Sequence, residues 1–199
     1  MMTAVDALLA EALQRPAGMS SDFDLNPGVD LPPGRVLRAA AVLVVVWQRA
    51  EGPEVILTKR ASHLKHHAGQ VAFPGGKVDP GDASPEAAAL REAEEEVGLP
   101  RAAVSLLGRL PAHETVTGFH VTPVLALLNG AFQPVPEAGE VDEVFTVPLA
   151  HLLSPQNYAV ERRRWRGEWR RYYAVPYGPY YIWGATARIL RGLAERSGR

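Results

Sequence analysis

The chain has 199 residues, a formal net charge of −1, 47% apolar and 22% charged residues, and no cysteine. That length is enough for one domain, residues 1–199, with a continuous core and no cross-links, and the composition indicates neither a disordered nor a membrane-embedded chain. The lack of cysteine excludes disulfides, thiol catalysis and zinc–cysteine sites, and the near-neutral charge gives no reason to expect general affinity for nucleic acid.

Taken in chain order, Asp6 and Glu11 stand among alanines and leucines with no basic lead-in. This is unlike a secretory signal, so cytoplasmic residence is expected. Ala4 to Leu13 has helical spacing and ends before Pro16; Ala17 to Gly34 is a Pro-, Gly- and Asp-rich approach segment expected to lie over the surface. Residues 1–34 thus precede a core of residues 35–199. The longest apolar run, Ala39 to Trp47, is about half of the roughly 20 residues that a membrane-spanning helix requires, and reads as a buried strand. The β-branched stretch Val36 to Gln48 predicts a central strand, with Val55 to Lys59 as its hairpin partner across Glu51-Gly52-Pro53.

Ser84 followed by Pro85 is an N-cap with proline at the first helical position. The helix should run through Val97 and stop at Gly98, with Pro100 preventing resumption. Val104 to Leu110 and Val121 to Leu128 predict strands, and Val144 to Leu153 a strand end with a short helix. Glu161 to Tyr173 predicts a second hairpin about an Arg-Gly turn, and Tyr181 to Arg196 an amphipathic closing helix. No internal repeat or dividing linker is present.

The most informative segment is Leu90-Arg91-Glu92-Ala93-Glu94-Glu95-Glu96-Val97-Gly98-Leu99. Glu92, Glu95 and Glu96 are spaced i, i+3, i+4, which puts their carboxylates on one helix face, while Leu90, Ala93 and Val97 fall on another that can pack against a sheet. Such like charges repel by roughly 0.2–0.5 kcal/mol per pair, and only Arg91, four residues before Glu95, is a basic partner. A hard cation such as Mg²⁺ or Mn²⁺ would reverse that cost, since oxygen-only ligands favour it over zinc or copper. A solvated charge run is the bland alternative. Against it stands the upstream loop Phe73-Pro74-Gly75-Gly76, whose paired glycines let the backbone bend and approach a ligand closely; alone, they would read equally as a bulge or tight turn.

Gly76 together with Arg91-Glu92-Ala93-Glu94-Glu95-Glu96-Val97-Gly98-Leu99 resembles the Nudix box: Gly, five residues, Glu, seven residues, Arg-Glu, aliphatic, any, Glu-Glu, any, Gly, aliphatic. Ala93 stands at the aliphatic place. Gly76 precedes Arg91 by one residue more than the general box has, so Asp82 takes the place of the first Glu. Just upstream, Ile56-Leu57-Thr58-Lys59-Arg60-Ala61, then Lys65, Gly69 and Phe73-Pro74-Gly75-Gly76, resembles the motif of the coenzyme A pyrophosphatase branch, with Ile56 in place of Leu and Lys65 in place of Arg. The offset box is expected of that branch, and Ile182-Trp183-Gly184-Ala185-Thr186-Ala187-Arg188 is similar to it too.

The resemblance implies an α+β fold, an αβα sandwich with a mixed sheet between helices. It implies a Mg²⁺-dependent hydrolase, with Mn²⁺ as the other candidate ion, that cuts coenzyme A into 3′,5′-ADP and 4′-phosphopantetheine. Glu92, Glu95 and Glu96 would hold metal, Arg91 would orient Glu95, and the general base would be Glu92, Glu140 or both. Glu140 also reads as a solvent-facing loop acid. Lys59, Arg60 and Lys65 are natural phosphate contacts beside Gly75 and Gly76, although Lys59 reads equally as an edge-strand charge. The expected partner is a small molecule, bound by a monomer or homodimer. The alternatives are a Nudix hydrolase of ADP-ribose, NADH or a dinucleoside polyphosphate, and a catalytically silent nucleotide sensor.

Other features carry less. Adjacent His66 and His67 would point to opposite sides of a strand, which argues against a shared ion with His63. The basic and aromatic run Arg162 to Tyr173 reads as a hairpin with its arginines in water rather than a single-strand nucleic-acid surface. Tyr180, Tyr181 and Trp183 read as core packing rather than as a nucleotide-stacking wall.

Overall fold

The computed structural model describes residues 3–29, 31, 33–165 and 167–198. In chain order these form α1 (Ala4–Gln14), β1 (Ser20–Ser21), β2 (Arg38–Arg49), β3 (Gly52–Arg60), β4 (Val71–Ala72), β5 (Gly75–Lys77) and α2 (Pro85–Val97). There follow β6 (Val104–Arg109), β7 (His113–Glu114), β8 (Phe119–Asn129), β9 (Val141–Pro148), α3 (Leu149–Leu152), β10 (Ala159–Trp165), β11 (Glu168–Ala174) and α4 (Gly184–Ser197).

The centre of the mixed sheet is β2, which lies parallel to β8, with Leu43 opposite Val124, and antiparallel to β3, with Val46 opposite Val55. Its continuous apolar character follows from burial on both faces. Ala41, Leu43, Val45 and Trp47 pack with Ala88, Ala89, Ala93 and Val97 of α2 on one side. Ala40, Val44 and Val46 join Leu9 of α1, Leu152 of α3 and Leu190 and Leu193 of α4 on the other. This is the expected αβα sandwich.

Along β2 the antiparallel partner changes. Near its C-terminal end β2 pairs with β3, but Ala40, Ala41 and Val42 pair with Lys77, Gly76 and Gly75 of β5. The two pairings are bridged where the Leu43 N–H donates to the Pro74 carbonyl at 2.8 Å. The acidic helix therefore crosses the sheet beside a short strand made largely of glycine.

Several details differ from the sequence reading. The first hairpin turns at Ala50-Glu51, because Gly52 already pairs with Arg49. The approach segment does not merely cover the surface: Ser20 and Ser21 add a parallel strand beside His113 and Glu114, and buried Ser20 is hydrogen-bonded to His113 Nδ1 at 2.9 Å. The very short β1, β4, β5 and β7 leave too few residues for a period-two signal. The closing helix begins at Gly184, with Tyr181 and Ile182 in extended approach to it. The second hairpin is present as β10 and β11, paired from Ala159–Ala174 to Trp165–Glu168, while Arg166 of its turn lies outside the described residues. No helix among the described residues is long and apolar enough to cross a membrane.

Candidate active site

Helix α2 starts and stops as its sequence dictates. Ser84 Oγ accepts the Ala87 N–H at 3.2 Å, Pro85 occupies the first turn, and Gly98, at φ +69°, takes the left-handed cap position. Small Ala88, Ala89 and Ala93 bring the helix close to the sheet, so Ala93 at the aliphatic place of the box is fully buried. The next side chains around the helix, Glu92 and Glu96, are consequently held against the glycine strand.

A side chain would collide with backbone at Gly75 and with a side-chain carboxylate at Gly76. Gly75 has φ +153°, and a Cβ at this position would lie 2.4 Å from the Ala41 carbonyl oxygen and 2.6 Å from Val42 Cα. A Cβ on Gly76 would lie 2.5 Å from Glu92 Oε1. The space that a side chain would fill is occupied by a carboxylate. The Gly75 N–H also donates to Glu96 Oε2 at 3.0 Å.

Glu96 is 4% exposed. Burial pushes its carboxyl up to about 7; the Gly75 N–H and Arg60 pull it down, and the charges of Glu92 and Glu140 push it up further. Glu92 is also raised, chiefly by burial, against the pull of Arg91, with Glu95 and Glu140 adding repulsion. These mutual effects place Glu92, Glu96 and Glu140 in one electrostatic neighbourhood. Glu140 itself is exposed, and backbone bonds hold its loop: Val135 N–H to the Val97 carbonyl, Glu137 N–H to that of Glu96, and Ala61 N–H to that of Glu140, at 2.8–2.9 Å.

Arg91 organises the flank. It donates to both oxygens of Asp82, at 3.0 and 2.9 Å, to Glu92 Oε1 at 3.0 Å, to Glu95 Oε2 at 3.1 Å and to the Lys77 carbonyl at 3.2 Å. Asp82 therefore anchors the arginine, and its carboxyl is held down to about 2, first by that bond and then by the Asp79 N–H. The sequence reading left Asp82 without a role; the signal available was the Asp79-to-Asp82 turn preceding the helix.

Of the proposed phosphate contacts, Arg60 comes nearest to the acidic set, with Nη1 3.9 Å from Glu96 Oε1. Its Nε is buried with no partner among the described residues. A register shift in the β3–β9 pairing falls between Lys59 and Arg60. Lys59 is half-buried opposite Val71 and Glu143, and Lys65 is exposed in the loop that joins β3 to β4. The histidines lie in that same loop, not on a strand: His63 and His66 are exposed, and His67, at φ +58°, is hydrogen-bonded to Gln70. Tyr180 stacks on Phe145 at 3.5 Å and donates to Glu143, while Tyr181 is 40% exposed and so is not core.

Among the described residues, no three Asp, Glu or His side chains are arranged as a finished metal cage. Glu92 and Glu96 face the glycine strand, whereas Glu95, 58% exposed, is engaged by Arg91. The donor chemistry nevertheless fits a hard divalent ion: oxygen donors only, mutually repelling, one of them buried beside a single guanidinium at 3.9 Å.

A NUDIX domain model matches residues 37–166, and the chain belongs to this family. It is similar to the uncharacterized Nudix hydrolase NudL of Salmonella paratyphi B, 48% identical over 161 residues that cover 81% of this chain and 83% of the relative. The NudL of Salmonella newport is similar to the same extent. Among solved structures, the Nudix hydrolase RenU of M. smegmatis shares the fold, with a TM-score of 0.50 and 24% identity over 60% of this chain and 82% of that one. As a Nudix hydrolase, the protein acts on phosphoric anhydrides.

Proposed function

We propose that the protein is a Mg²⁺-dependent pyrophosphatase of coenzyme A or its derivatives, releasing 3′,5′-ADP and 4′-phosphopantetheine. The observation that carries this reading is the packing of Glu92 and Glu96 against the Gly75-Gly76 strand with Arg60 beside them. It joins in space the acidic box and the upstream Ile56–Gly76 pattern that resembles the coenzyme A branch. Glu92, Glu95 and Glu96 would hold the ion, which when bound neutralises phosphate oxygens and acidifies water.

The protein's own groups divide the remaining work. Arg60, Lys59 and Lys65 bind phosphate oxygens; a guanidinium meets phosphate with two parallel hydrogen bonds. Arg91, fixed by Asp82, holds Glu92 and Glu95 in position. As the water oxygen bonds to phosphorus, its proton passes to Glu140 or Glu92 and the phosphate ester on the far side leaves. Glu140 is the more accessible acceptor.

Mass spectrometry of coenzyme A incubated with the protein and Mg²⁺ in ¹⁸O-labelled water tests the reading. The expected result is both products, one carrying the label and so marking the attacked phosphorus. Intact coenzyme A alongside consumed ADP-ribose, NADH or dinucleoside polyphosphate would assign another Nudix substrate. Nucleotide binding with no Mg²⁺-dependent product would assign a sensor.

A further inference from the structure

The last four carbonyls of a helix have no partner within it, and in α2 these belong to Glu94, Glu95, Glu96 and Val97. The Gly98 N–H takes that of Glu94 at 3.0 Å. Those of Val97 and Glu96 are taken by a distant part of the chain, through the N–H groups of Val135 and Glu137, each at 2.9 Å. Proline has no N–H, so in Pro134-Val135-Pro136-Glu137 these two are the only backbone donors, and both are used on the helix end.

Glu137 also turns the chain toward Glu140. Its carbonyl accepts the Glu140 N–H at 3.0 Å and the Val141 N–H at 2.8 Å. One residue thus links two backbones: through its N–H that of Glu96, whose carboxylate is buried beside Gly75, and through its carbonyl that of Glu140. The far side of Glu140 is fastened as well, because its carbonyl accepts the N–H of Ala61, the residue after Arg60, at 2.8 Å. Across this short relay the charge of Glu140 acts on both Glu92 and Glu96. The Glu137 carboxylate instead folds back over its own turn, where a Cβ on Gly139 would lie 3.0 Å from its Oε2.

We propose that Glu137 is a positioning residue, acting through its main chain and not its carboxylate, that sets where Glu140 stands relative to the acidic face of α2. This rests on the proposed reaction and takes Glu140, of the two acceptors named there, as the one that receives the proton of the attacking water. A proton acceptor must stand within about 2.6–3.2 Å of the oxygen it serves, and a misplacement of about 1 Å costs on the order of 100-fold in rate. Loops are more mobile than the elements they connect. Here the helix that would hold the ion also holds the loop of the acceptor.

The test replaces the amide at position 137 by an ester, using the α-hydroxy analogue of alanine, and compares that chain with Glu137→Ala, which has the same side chain and keeps the N–H. Coenzyme A turnover is measured at saturating Mg²⁺, and Mg²⁺ affinity by calorimetry. The ester should lower kcat at least tenfold relative to Glu137→Ala, with KM and Mg²⁺ affinity within twofold. Combined with Glu140→Gln the ester should lower kcat no further, because the group it positions is already gone. One glycine inserted after Ala138 keeps the clip on α2 but breaks the turn to Glu140, and should reproduce the loss even if the ester chain does not fold. Equal kcat in the ester and in Glu137→Ala, a loss already complete in Glu137→Ala, or an additive loss with Glu140→Gln each overturns the proposal. So does wild-type kcat in the insertion chain or in Glu140→Gln alone. The substrate reading fails separately: a wild-type chain that leaves coenzyme A intact and cleaves ADP-ribose, NADH or a dinucleoside polyphosphate moves the same comparison to that substrate, and one that cleaves none of them overturns both.

Discussion

The Gly75 N–H donates to the buried carboxylate of Glu96 at 3.0 Å, so the glycine loop and the acidic helix are held together by a group that the proposed function also assigns to the metal. The two glycines act differently, and their alanine variants should separate fold from function. Gly75→Ala drives a methyl into the backbone of β2, which cannot move aside, and should destabilise the fold by about 1–3 kcal/mol. Gly76→Ala meets only the mobile end of Glu92 and should leave the urea midpoint nearly unchanged while lowering kcat roughly 100-fold, the loss typical of a misplaced reacting group. Equal effects on midpoint and kcat in both variants would contradict this division.

The metal-free protein and the metal-bound protein should respond to pH in opposite senses. Burial raises Glu96 from 4.5 to about 7, so the metal-free fold binds this proton better than the unfolded chain does. The favourable contribution is complete below 4.5 and is lost as pH rises through about 7. A cation takes the deprotonated form, so Mg²⁺ affinity should rise across the same window with release of a proton. Calorimetry in buffers of different ionisation enthalpy reads that proton directly.

Glu96→Gln removes the charge and keeps the shape. Turnover should fall by more than about 100-fold, at or beyond the loss seen when a group that supports a metal ligand is removed. The variant should stay folded, its stability should not decline between pH 5 and 8 as the wild type's does, and its calorimetric proton release should vanish. Wild-type rates would remove the acidic helix from the mechanism.

Asp82→Ala should act through Arg91. Without its bidentate anchor the guanidinium is free to follow Glu92 and Glu95, and Mg²⁺ affinity should drop about 10- to 100-fold. Asp82, held to about 2, contributes stability that is present above its ordinary 3.8 and lost as pH falls through about 2. Acid unfolding of the variant should therefore lack that last step, which circular dichroism between pH 4 and 1.5 would follow.

Arg60→Met removes the one guanidinium that pulls Glu96 down. The acidic limb of the activity profile should move to higher pH, and KM should rise about tenfold through the lost phosphate contact. A raised KM with an unmoved limb would separate Arg60 from Glu96.

Most of the architecture and part of the candidate site's geometry were legible in the sequence, for local reasons. Helix α2 announces itself through Ser84, Pro85 and Gly98, and β2 through nine consecutive apolar residues from Ala39 to Trp47. The spacing of Glu92 and Glu96 gave their shared face. The i, i+4 spacing of Arg91 and Glu95 likewise announced their ion pair, but it could not show that Glu92 and Glu96, without Glu95, are the two packed against the glycine strand, because that depends on how the helix lies on the sheet. The anchoring of Arg91 by Asp82 and the clip between the Glu140 loop and the last turn of α2 depend on tertiary contacts. Neither leaves a period in the sequence. The two-residue strands were missed because alternation needs more residues than they have.

The change of partner along β2 bears on how the site comes into being. β5 and α2 are neighbours in the chain and meet the first half of β2 across less chain than separates β2 from β8, so the glycine side closes a smaller loop than the β2–β8 pairing does. The glycine and glutamate part of the candidate site is thus drawn from nearer segments of the chain, while the sheet that stiffens it closes over longer loops.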